Sequence, residues 1–237
     1  MGGGISSAEL YKDAKKMKKS EEEIVRLLMP VYYTCLIPNA DDIRVAGDAW
    51  NLILTDSSHT FIEQKRTDEL KDLEEVEIDG SGAKVILAPS CIMWFYDIFY
   101  KRLFDVHPSC KHMFAGGIKQ QGKFLVRMLS LALSELADPS KFDATLVMLA
   151  KQHCDRGIKA VEYGVVGEVL FFTLRFVLGS AFTERVHAAW VKIFCRMLKT
   201  MVPVAIAYEL QVLKINVNSS VSKERKENEQ DCGFLCL

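Results

Sequence analysis

His153 is the side chain in this 237-residue sequence best placed to do chemistry. In the stretch LVMLAKQHCDRG, residues 146–157, Leu146, Leu149 and Ala150 share its helical face, so apolar side chains rather than solvent flank the imidazole. A neutral imidazole in such surroundings is either a packed core residue or a metal ligand, because burial disfavours the charged form and leaves one ring nitrogen with a lone pair to donate. His59, His107, His112 and His187 have no partner at metal-ligand spacing and read as surface or structural residues. The seven cysteines, Cys35, Cys91, Cys110, Cys154, Cys195, Cys232 and Cys236, are odd in number, widely spaced and without a CxxC pair. With no secretory leader before them, they predict reduced intracellular thiols and argue against a zinc site. Cys154, beside His153, reads as a small buried residue.

A second chemistry sits at the amino-terminus. Met1-Gly2-Gly3-Gly4-Ile5-Ser6 fits the N-myristoylation pattern, with Gly2 as acceptor after removal of Met1. One acyl chain binds membranes only marginally, so a second signal is required. Lys12, Lys15, Lys16, Lys18 and Lys19 supply one for an anionic membrane surface. Cys232 and Cys236 in the tail QDCGFLCL are further candidates for acylation, whereas Phe234 stands where a prenylation box needs cysteine. The expected location is cytoplasmic and membrane-associated.

Helices must position these groups. Apolar periodicity marks 41–54, with Trp50 as core anchor, and then 91–107, 119–137, 141–156, 160–179 and 183–213. Breaks fall at His107-Pro108, Asp138-Pro139 and Gly157, and no segment alternates with the period of a strand. A further helix starts at Ser20 and is interrupted near Pro30, and Pro203 predicts a kink in the last segment. The run 55–90 is charged and broken by Gly80 and Gly82, as expected of a partly helical insertion. The predicted organisation is an extension at 1–40, a single domain at 41–213 carrying that insertion, and a polar tail at 214–237. The apolar window from Tyr163 to Phe182 contains Glu168 and Arg175 and reads as a buried helix rather than a membrane span. A net charge of −1 gives no general attraction to nucleic acid.

Five stretches resemble the globin family in the family's own order. FYKRLFDVHPSCKHMF, residues 99–114, resembles the B helix and the proline-opened C helix, with Phe114 six residues beyond Pro108. QGKFLVRML resembles the E helix, AKQHCDRGIKAVEYGVVGEVL the F helix through the G helix, and HAAWVKIFCRMLKTMV the H helix. AGDAWNLIL, with Trp50, resembles the A helix, so the likeness spans roughly 41–54 and 91–210.

The resemblance implies an all-α globin fold, a three-over-three helical sandwich, here with an extra N-terminal helix and an insertion between the first two globin helices. It implies haem b as cofactor, His153 as the iron ligand and Phe114 packed flat on the porphyrin. It implies Gln121, one helical turn before Leu125, as the distal residue, and Tyr100 as a hydroxyl above the iron. An amide and a hydroxyl both donate hydrogen bonds to dioxygen, and this pair is similar to the distal pocket of flavohaemoglobins. Gln120 takes the distal place if the helix register slips by one, and Tyr100 is otherwise a core aromatic.

Two departures from flavohaemoglobins are expected. Tyr163 matches their proximal-side tyrosine, but Ala205 stands where their H-helix glutamate would fall if no gap intervenes. No GxGxxG marks a nicotinamide- or flavin-binding region, so turnover of nitric oxide would need an external reductase. An acylated globin is similar in plan to the globin X group, although the amino-terminal cysteine of that group is missing here. Three readings remain: a reversible dioxygen carrier, store or sensor; a haem enzyme acting on nitric oxide or nitrite; and a haem-free interaction module.

Overall fold

A computed structural model describes residues 21–28, 33–74, 90–114 and 117–232, and among these residues it contains helices and no strand. Gly2, the lysines at 12–19, Gly80, Gly82 and Cys236 lie outside the described residues. Helix α1 (Glu21–Leu28) precedes α2 (Ala40–Leu54), α3 (His59–Glu74), α4 (Cys91–Val106), α5 (Ile118–Glu135), α6 (Pro139–Asp155), α7 (Glu162–Leu178) and α8 (Glu184–Cys232). Short 3₁₀ turns, Pro108–Phe114 and Gly179–Ala181, join α4 to α5 and α7 to α8.

Local chemistry sets these boundaries. Asn39 and Asp42 form a reciprocal capping box that starts α2, and the Ser90 and Asp138 side chains accept from the backbone N–H groups of Met93 and Lys141 to start α4 and α6. Gly157, with φ of 81°, turns the chain sharply after α6, where its N–H and that of Ile158 take up the carbonyls of Cys154 and His153. The helix that carries His153 therefore stops just beyond it.

Helices α2, α5 and α6 form one layer over α4, α7 and α8, with α2 and α6 both laid across α8 and α4 crossing α5. Trp50 is the hinge of the packing: its ring meets Phe95 and Trp190 edge-on, and its indole N–H donates to Ser130 Oγ at 2.8 Å. Gly122 lets α4 and α5 approach, because a Cβ there would lie 2.3 Å from the Tyr96 ring. The insertion is anchored at its start. Ser58 donates to the Val177 carbonyl, and buried Phe61 packs on Trp94.

Helix α7 lies within the one described segment long and apolar enough to cross a membrane, Glu162–Ala181. It is packed between α4 and α8, with Val169, Leu170, Leu174 and Val177 buried in the core. Within the stretch expected to be a polar tail, residues 214–232 continue α8, which passes through Pro203 and reaches Cys232. The sequence there is polar and carries no apolar stripe, so periodicity ends at 213 although the helical backbone does not.

Candidate functional site

A cavity opens between α4 and α5 on one side and α6, α7 and α8 on the other. Helices α4 and α5 contribute Tyr100, Gln121, Leu125 and their apolar neighbours, while Phe114 comes from the turn between them. Helices α6, α7 and α8 contribute His153, Tyr163 and an apolar floor that includes Leu198 and Met201. His153, Gln121, Tyr100, Phe114 and Leu125 thus all line the same space, whereas the described walls do not include Gln120. Tight passage of Gly122 against Tyr96 sets the rotation of α5 at this point, and Gln121 is the residue next to it.

On the α6 side, burial and, secondarily, the charge of Arg156 push the His153 imidazole down to about 4 from its ordinary 6.5. It is therefore neutral near pH 7, as a ligand nitrogen must be. Its Nδ1 lies 3.3 Å from the Tyr163 hydroxyl. With the proton on Nδ1 donated to that oxygen, Nε2 keeps its lone pair for a metal. Burial first, then Cys154, Glu162 and Glu209, raise the Tyr163 phenol above its usual range, so it stays protonated.

Glu209 bears on the expectation attached to Ala205. Ala205 is fully buried, and a carboxylate, Glu209, follows it one helical turn further along α8, outside the cavity lining. Its Oε1 accepts from the Ala160 N–H at 2.9 Å, and its charge reaches the Tyr163 phenol.

On the α4 side, Tyr100 is buried among aromatic rings and meets Phe114 edge-on at 5.1 Å. Burial raises its phenol well above the ordinary value, so the O–H remains a donor. Among the described residues no protein group bonds to the Tyr100 hydroxyl or to the Gln121 carboxamide. These are the two polar groups that the α4–α5 wall presents to the cavity.

The donor set decides what fits. Among its described lining residues the cavity has one imidazole and no carboxylate or thiolate. A bare metal ion wants three or four protein donors, so a metal on His153 must bring the others with it. A flat, largely apolar porphyrin that needs one axial nitrogen and an apolar cleft matches this inventory. His107, His112, His59 and His187 are elsewhere. His107 pairs with Glu162 at 3.1 Å, His59 with Glu63 at 3.3 Å, His112 Nδ1 lies 2.7 Å from the Ser109 carbonyl, and His187 sits between Phe171 and Phe182.

Comparison with known proteins agrees with this geometry. Residues 97–201 match the profile of the globin family. The chain is 30% identical over 99 residues to a flavohemoprotein of Rhizobium meliloti, covering 40% of this chain and 25% of that protein. It is 30% identical over 110 residues to a flavohemoprotein of Chromobacterium violaceum, covering 44% and 26%, and 26% identical over 107 residues to one of Bordetella pertussis, covering 44% and 27%. The chain thus spans about a quarter of the length of these relatives. With an all-α sandwich, a cleft built around one neutral histidine and this match, residues 97–201 form a globin domain similar to part of the flavohaemoproteins.

Proposed function

We propose that the protein holds haem b on His153 and binds dioxygen reversibly, as an oxygen store, carrier or sensor. The observation that carries this reading is the pairing of a neutral His153 with two unengaged donors, Tyr100 and Gln121, in one apolar cleft. When bound, ferrous haem supplies the centre at which a diatomic ligand coordinates reversibly. The chain would do the remainder: His153 Nε2 would hold the iron, Phe114 and Leu125 would exclude water, and the Tyr100 O–H and Gln121 N–H groups would offer hydrogen bonds to a polar diatomic guest.

The test is reconstitution with haemin. Wild-type protein should show a strong porphyrin absorption band, and His153→Ala should lose or shift it. Absence of the band in the wild type refutes the reading.

A second reading, chemistry on nitric oxide or nitrite with an external reductase, is favoured by Glu209. A carboxylate charge behind Tyr163, itself on His153 Nδ1, makes the imidazole a stronger electron donor. Rapid mixing of the dioxygen-saturated protein with nitric oxide, with and without a reductase, separates the two. Sustained turnover with the reductase displaces the carrier reading.

For location, the proposal is a cytoplasmic protein tethered to an anionic membrane through Gly2 and the lysines at 12–19. Gly2→Ala should release it from membranes, and unchanged partitioning would overturn the tether.

A further inference from the structure

Residues 33–39, which lead into α2, lie outside any helix and cross α8 with a cysteine on each side of the contact. The Thr34 N–H donates to Cys195 Sγ, and the Cys195 S–H donates to the Thr34 carbonyl, both at 3.3 Å. Cys35 is the next residue, so its Cα lies within about 6 Å of that sulfur, one peptide beyond the carbonyl it touches. Bridged cysteines have Cα atoms about 5.5 Å apart, and no helical hydrogen bond opposes a rotation of the backbone at Cys35.

Exposure divides the thiols. Of the cysteines at 35, 91, 110, 154 and 195, Cys35 alone is exposed. Burial pushes the thiols of Cys91, Cys110 and Cys154 up, that of Cys91 to about 12, which keeps them from exchange. Cys195 is 2% exposed, so reagents in solution are kept from it while the segment at Thr34 and Cys35 is not. That segment is already seated on α8 by other groups. Tyr33 donates its hydroxyl proton to Glu22 of α1, and Lys199 of α8 lies over the Tyr33 ring at 5.2 Å and 3.4 Å from the same carboxylate.

We infer that Cys35 and Cys195 form a thiol–disulfide site that is closed by a small oxidising disulfide and then locks residues 33–39 onto α8. Cys35, as thiolate, attacks one sulfur of a reagent such as oxidised glutathione; the reagent S–S bond breaks and one glutathione leaves. Cys195 then attacks the Cys35 sulfur of the mixed disulfide, and the second glutathione leaves. Two protein thiols are oxidised to one disulfide, one reagent disulfide is reduced to two thiols, and the two protein protons end on the glutathiones. The Thr34 N–H, aimed at Cys195 Sγ, faces the negative charge that develops there during the attack. The site lies outside the cleft, whose lining includes Phe194 and Met197 but not Cys195 between them.

The experiment treats the folded full-length chain with oxidised glutathione, alkylates the remaining thiols and maps tryptic peptides without reduction. The two cysteines fall in the tryptic peptides 27–44 and 193–196. These should appear joined, and dithiothreitol should release them. Oxidation should raise the thermal midpoint by about 5 °C, as expected for a bridge that closes a long loop. In Cys35→Ser, oxidation should leave Cys195 reduced and the midpoint unmoved. A wild-type map in which Cys35 carries glutathione while Cys195 stays reduced would overturn the site, and the wild type decides this without any variant. So would a Cys35 that stays a free thiol, or one joined to another cysteine or to a second copy of the chain. A joined pair with an unmoved midpoint would overturn the lock.

Discussion

The two walls of the cleft treat their polar groups in opposite ways. On the α6–α8 side the groups are engaged: His153 meets Tyr163, and Glu209 holds the Ala160 amide while its charge bears on Tyr163. On the α4–α5 side Tyr100 and Gln121 reach the cavity with no described protein partner, although buried polar groups ordinarily find one. A satisfied group fixes a geometry, and an unsatisfied one awaits a guest. On the proposed haem reading, the contrast gives positioning to the first wall and ligand recognition to the second.

The largest effect should come from spoiling the scaffold of the recognition wall. Gly122→Ala places a Cβ 2.3 Å from the base of the Tyr96 ring, where no flexible end can swing aside. Overpacking at this crossing should cost about 3 kcal/mol in urea unfolding and turn α5 enough to displace Gln121. A variant as stable as the wild type would mean that the walls are less rigidly joined than the contrast requires.

Next comes pH, which acts on the positioning wall. The folded state holds the His153 imidazole at about 4, whereas the unfolded chain returns it to 6.5. As pH falls through 6.5 the unfolded state takes up the proton first, so apoprotein stability erodes from there down to about 4 and then levels. At about pH 5 the loss should be about 2 kcal/mol, and His153→Leu should abolish that part of the profile. A parallel loss in the variant would assign the acid sensitivity to other groups. Above 6.5 the imidazole is neutral in both states and contributes no slope.

The two walls also differ in how far the sequence discloses them. Helical periodicity puts His153 on an apolar face, but its reading as a ligand, like the readings of Tyr100 and Gln121, comes from the resemblance of these stretches to known helices. The choice between Gln120 and Gln121 follows from Gly122, a signal present in the sequence, since the residue at the tightest helix crossing must lack a side chain. Glu209 was not legible in the same way. Its place depends on the phase of a long helix that runs through Pro203, and a one-turn displacement moves the carboxylate from position 205 to 209 while keeping it on the same face.

The smallest effects give the sharpest test of the contrast, because they compare one hydroxyl with another. Tyr100→Phe removes a donor that no described protein group engages, so its loss should fall on the guest alone. The dioxygen dissociation rate should rise about tenfold, the equivalent of about 1.4 kcal/mol, with apoprotein stability nearly unchanged. Tyr163→Phe removes a hydroxyl already engaged with His153, over a long 3.3 Å contact. It should leave dioxygen dissociation within about twofold and raise haem loss by about threefold, because the imidazole loses an orienting partner rather than its ligand function. If the two substitutions exchanged signatures, with Tyr163→Phe altering dioxygen release and Tyr100→Phe altering haem retention, the division between a positioning wall and a recognition wall would be wrong.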